Sequence, residues 1–157
     1  MIKKKELMEF LRSHFRLKWD GIHGAPHWAR VLHNGLMLAE KEGARSDVVT
    51  LFAFLHDHER IHDDHDTEHG PAASRNALRL RGTYFEIDDE GFALLCQAMD
   101  GHSNGMTEAN ITVQCCWDAD RLDLGRVGII PHPKYLCTQT AKDPEVIRVA
   151  YDRSIQG

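Results

Sequence analysis

No apolar run in this 157-residue chain approaches the roughly 20 residues that a membrane-spanning helix requires. The longest, Val48 to Leu55, is interrupted by Thr50. Behind the basic start Met1-Ile2-Lys3-Lys4-Lys5-Glu6 there is no apolar segment of the kind a signal peptide carries, so the chain reads as cytoplasmic. Positive charge is not in excess either: 19 Lys and Arg stand against 24 Asp and Glu, a formal net charge of −5. Without a basic stripe, no polynucleotide partner is expected. A small phosphorylated molecule, which needs only a few local cations, stays open. Cysteine is scarce, and Cys96, Cys115, Cys116 and Cys137 lack C-x-x-C spacing. That argues against a disulfide framework or a thiolate zinc site and for reduced, mostly buried thiols. No repeat, low-complexity run or linker divides the chain, whose length suits one domain over residues 1–157.

What the sequence does have is apolar spacing of three and four residues, the mark of amphipathic helices. The pattern predicts a helix over residues 3–19, with Leu7, Phe10, Leu11, His14, Phe15 and Lys18 on one face. A second runs from Pro26 to about Lys41 with Val31, Leu32, Gly35, Leu36 and Ala39 inward. A third, capped by Ser46, is apolar on every side, as a central element is. Further helices are expected over Pro71–Leu80, after an Asp88 cap, over Thr107–Leu122, and after Asp143-Pro144. The segment from His58 to Gly70 reads as a polar loop. The fold class is all-α.

Histidine is abundant, with 11 residues, six of them between His56 and His102 inclusive. The adjacent pair His56-Asp57 closes the apolar third helix. An uncompensated polar group in such a setting costs about 2–7 kcal/mol, and a divalent cation satisfies both side chains at once. His27 aligns with Val31 and Gly35 on the inward face of the second helix, whereas His33, about 240° further round, faces solvent. Asp118 and Asp120 lie about 200° apart on their helix and cannot both point inward. Asp120 shares the stripe of Val113, Cys116, Trp117 and Leu124 and is favoured as the ligand. Asp118 and Asp123 are left as supporting or surface carboxylates. His69 and His102 are candidates for a second metal or for substrate, while His58, His62 and His65 are read as solvated.

The order His27, His56-Asp57, Asp120 resembles the HD-domain superfamily of metal-dependent phosphohydrolases, an all-helical fold named for its His-Asp doublet. The flanks are similar too. His27-Trp28-Ala29-Arg30-Val31 resembles the family's helix of the first ligand. Asp118-Ala119-Asp120-Arg121-Leu122-Asp123, with Gly125, Gly128-Ile129 and His102-Ser103, is similar to small stand-alone bacterial members. The resemblance spans residues 20–130 or so. It implies about six or seven helices around a central metal site.

Two histidines and two aspartates form a mixed N/O donor set suited to Mn, Fe, Co, Ni or Zn, with one metal per chain the simpler expectation. The expected reaction, implied by the resemblance, is attack of a metal-activated water on a phosphate ester or phosphoanhydride of a small molecule, with a nucleotide the leading candidate. Arg30, Arg60, Arg121 and Lys134 are candidate phosphate clamps. Glu59 is a candidate for orienting the water beside Asp57. If His69 and His102 join, the site resembles the dinuclear members, which include cyclic dinucleotide hydrolases and di-iron oxygenases. A metal-binding regulatory domain without turnover is the third expectation.

Overall fold

The computed structural model describes residues 1–156. Eight helices account for the architecture: α1 (Lys4–His14), α2 (Ala25–Glu42), α3 (Ser46–Leu55), α4 (His69–Leu80), α5 (Asp89–Gly101), α6 (Ile111–Arg121), α7 (Gln139–Lys142) and α8 (Pro144–Ile155). Short 3₁₀ turns span Leu124–Val127 and Pro133–Tyr135. No strand occurs among the described residues, only isolated bridges from Phe85 to Ile2 and Arg81. The all-α expectation therefore holds.

Central placement of α3 follows from its composition. Val48, Val49 and every residue from Leu51 to Leu55 are buried, and the helix packs against α2, α5 and α6. α2 lies close against it because position 35 is glycine: a Cβ there would collide with the Val49 side chain. α2 ends at Gly43, which takes the left-handed conformation (φ 72°) common after a last turn and returns its N–H to Ala39 O.

Several boundaries depart from the sequence reading. α1 stops at His14 instead of running to residue 19, because Phe15 turns extended and packs edge-on against Trp28, with Trp19 completing an aromatic cluster. Ser46 is the first helical residue of α3 and not its cap; Asp47 accepts from the Val48 N–H instead. α6 begins at Ile111, where Asn110 accepts from the Thr112 N–H. Asp88 and Asp143 cap α5 and α8 as expected. Leu36, read as inward, is 40% exposed.

Asp118 has a different partner from any the sequence suggested. It is fully buried and accepts from the backbone N–H groups of Cys137 and Thr138, at 2.7 and 2.8 Å. The carboxylate thus ties the segment leading into α7 to the back of α6.

Candidate metal centre

Five helices deliver side chains to one buried point. His27 comes from the first turns of α2. His56 follows the last turn of α3, with Asp57 next, and His69 opens α4. His102 follows α5, and Asp120 lies in the last turn of α6. The histidines and Asp57 are buried, and the Asp120 side chain is 14% exposed.

The hydrogen bonds behind the rings decide which nitrogen faces inward. His56 Nδ1 meets Phe52 O at 3.0 Å, His102 Nδ1 meets Met99 O at 2.7 Å, and His69 Nδ1 meets Asp66 O. A carbonyl oxygen only accepts, so each of these Nδ1 atoms carries a proton and donates. His27 Nδ1 likewise meets Asp123 Oδ2, at 2.6 Å. All four Nε2 atoms are left to point at Asp57 and Asp120. Anchoring the far ring nitrogen in this way is how metal-binding histidines are oriented.

The inward atoms form two sets that share one carboxylate. Asp57 Oδ2 lies 3.3 Å from both His27 Nε2 and His56 Nε2, and Asp120 Oδ1 lies 3.1 and 3.5 Å from the same atoms. Asp57 Oδ1 lies 3.2 Å from His69 Nε2 and 3.5 Å from His102 Nε2. The facing Nε2 atoms are 3.1 Å apart in the first set and 2.7 Å in the second. His27-His56-Asp57 and Asp57-His69-His102 each converge closely enough to hold one ion.

Such a concentration of lone pairs demands positive charge. Buried Asp120 Oδ1 has no hydrogen-bond partner. Burial disfavours a charged imidazole at His56, but Asp57 and Asp120 overcome that and push its pKa up to about 10. At His27, burial and nearby Arg126 are likewise outweighed by Asp120, Asp123 and Asp57. Both aspartates are held well below the usual carboxylate range, the histidines outweighing burial. His102 moves the other way, burial keeping it neutral. The donor set therefore fits a divalent ion between His27, His56, Asp57 and Asp120, and a second between Asp57, His69 and His102.

Of the expected phosphate clamps, only Arg60 reaches this point: its Nε donates to Asp57 Oδ1 at 3.0 Å. Arg30 stands behind it, donating to Asp123 Oδ1 at 2.7 Å and so fixing the carboxylate that orients His27. Arg121 donates to Tyr135 O and borders a cavity of about 280 Å³ with His102, Leu124, Ile130 and Tyr135. Lys134 is exposed, its ammonium over the Tyr135 ring. Glu59 does not face the centre. The tight turn after Asp57 sends it outward, to Arg16 at 3.1 Å and toward His58 at 3.6 Å. His58, read as solvated, is buried between Leu55 O and the Asn76 amide. His62 and His65 are exposed, as expected.

Two residues escaped the sequence reading. Arg126 places Nη2 3.7 Å from Asp120 Oδ1 and is held by Ile22 O and Asp123 O. His23 is buried beside His27, ring centroids 6.4 Å apart, with Nδ1 on Asp63 at 2.9 Å. The only sequence signal for Arg126 is its three-residue offset from Asp123. For His23 it is proximity to His27.

No protein-family model matches the chain, and no curated protein matches it. Among solved structures it is similar to a predicted HD superfamily hydrolase from an uncultured Thermotogales bacterium, at 24% identity and a TM-score of 0.71. That alignment covers 97% of this chain and 87% of the other. The chain therefore has the fold of an HD-type helical domain.

Proposed function

We propose that this chain is a metal-dependent phosphohydrolase of the HD type, acting on a phosphate ester or phosphoanhydride of a small molecule, a nucleotide first among the candidates. The observation that carries this reading is the convergence of four imidazole Nε2 atoms and two aspartates on a buried point. His27, His56, Asp57 and Asp120 would hold one divalent ion; His69, His102 and the other oxygen of Asp57 would hold a second. A mixed N/O set of this kind suits Mn, Fe, Co, Ni or Zn. Bound there, such an ion lowers the pKa of a coordinated water to about 7 and polarises a phosphoryl oxygen.

The chain's own groups supply the rest. Arg60 and Arg126 flank Asp57 and Asp120 and place fixed cations where a phosphate would arrive, in the manner of arginine clamps. Burial of the histidines removes competing water and strengthens every charge interaction. The cavity bordered by His102 is walled mainly by Leu124, Ile129, Ile130, Pro131 and Leu136, with Arg121 its one guanidinium. An apolar wall with a single cation suits the organic part of a phosphorylated substrate, and a nucleobase better than a sugar.

Hydrolysis of a panel of nucleotides and sugar phosphates by the metal-loaded protein tests the reading. Turnover is expected for the wild type and is expected to vanish in Asp57→Ala. Full activity in that variant would overturn it. The second His/Asp set also supports a dinuclear alternative, an oxygenase or a cyclic dinucleotide hydrolase. Two irons per chain with an O₂-dependent absorbance change would favour the oxygenase. Stoichiometric metal without turnover of any substrate would favour a regulatory domain.

A further inference from the structure

We propose that the cleft between α1, α4 and the turn after Asp57 is a second binding site, specific for a phosphate-bearing anion. It is a hollow of about 340 Å³ lined by Phe10, His14, Arg16, Glu59, Arg75 and Arg79, together with Ala72 and Asn76 of α4. Nothing about it depends on the reaction at the metal centre.

Charge is the first argument. Arg75 and Arg79 stand one turn apart on α4, a like-charge spacing that weakens a helix unless something negative lies between them. Neither has a carboxylate within ion-pair distance among the described residues, unlike Arg45, Arg81 and Arg148, each of which is paired with one. Glu59 is the sole carboxylate lining the cleft, and Arg16 already neutralises it. Two guanidinium groups are thus left in surplus within one hollow of a chain whose overall charge is −5.

Shape and chemistry narrow the ligand. Guanidinium forks match phosphate oxygens two at a time, which a chloride or a lone carboxylate cannot exploit equally. The hollow is larger than inorganic phosphate needs and has room for an ester group. The amide of Asn76, which lines the hollow, is held by buried His58 at 2.9 Å. No residue lining the hollow belongs to either metal-ligand set. Arg16 also donates to the Glu59 carbonyl, at 3.4 Å, so an anion that engages Arg16 touches the turn that carries Asp57.

Titration of zinc-loaded protein with inorganic phosphate, followed by amide NMR, tests the site. Saturable shifts are expected along α4 from Ala72 to Leu80 and at Glu59. In the double variant Arg75→Ala/Arg79→Ala affinity at these amides should fall by about tenfold or more, with zinc content unchanged. Both side chains are exposed, so the variant should fold. Repeating the titration with glycerol phosphate separates two sources of the anion. Tighter binding of the ester indicates a phosphorylated effector, and equal binding indicates free phosphate. Shifts confined to the metal-centre histidines, equal shifts with chloride at matched ionic strength, or undiminished binding in the double variant would each overturn the proposal.

Discussion

Asp57 divides its oxygens between two sets of imidazoles, so losing it and losing a single histidine should have different results. Asp57→Ala is expected to empty both positions. His102→Ala should remove only the ion shared with His69, leaving the His27-His56 position filled; elemental analysis of metal per chain separates the two patterns. Protonation sets a second expectation. In the metal-free protein the His56 pKa is raised from 6.5 to about 10, Asp57 and Asp120 outweighing burial. A proton must therefore leave Nε2 before it can coordinate. Apparent metal affinity should rise as pH increases from 6.5 towards 10 and level off above that, as a chelator-competition titration would show. The pair His56-Asp57 and its partners His27 and Asp120 were legible in the sequence, because the apolar stripes say which way a helical residue points. Glu59, His58, Arg126 and His23 were not. Each sits in a turn, where one change of backbone direction reverses a side chain and no period exists to read.

Among the elements, the α4–α5 contact bears most directly on the second ligand set. Gly70 follows His69 in the first turn of α4, and a Cβ there would run into the carbonyl of Met99. That same Met99 carbonyl accepts from His102 Nδ1. Gly70→Ala should therefore destabilise the fold by about 1–3 kcal/mol in denaturant titration and weaken metal binding at His69 and His102 before it affects His27 and His56. Helix identities were readable from periodicity and caps, and α5 and α8 start at the caps the sequence offers. Boundaries failed where tertiary contacts overrode local preference. α1 ends early to seat Phe15 against Trp28, and α6 starts late at the Asn110 cap. The 3₁₀ turns over Leu124–Val127 and Pro133–Tyr135 have no sequence period at all.

For the molecule as a whole, the centre is where α2, α3, α4, α5 and α6 meet, so metal occupancy and global stability are linked. An ion that binds only the folded chain adds about 2.7 kcal/mol when its free concentration is 100 times its Kd. Chelation should accordingly lower the thermal midpoint, and on reconstitution the recovery should scale with the logarithm of added metal, as calorimetry would show. Without an ion, protons on His56 and His27 are what balance Asp57 and Asp120, and the five helices lose the cation that joins them. The metal-free protein should then show faster amide exchange at the inner ends of α3 and α5 than at the outer end of α2.

Three of the four inward histidines take their orientation from main-chain carbonyls three or four residues earlier, acceptors that no side-chain replacement can remove. His27 alone is steered by a side chain, Asp123, which is itself steered by Arg30. The basicity of this one ligand can thus be altered by substitution without touching any ligand. Asp123→Asn should reduce metal affinity by about 10–100-fold while leaving the number of ions unchanged. Positions 123 and 30 are, in that sense, the tuning screws of an otherwise hard-wired centre, and the natural places to alter its metal preference by design.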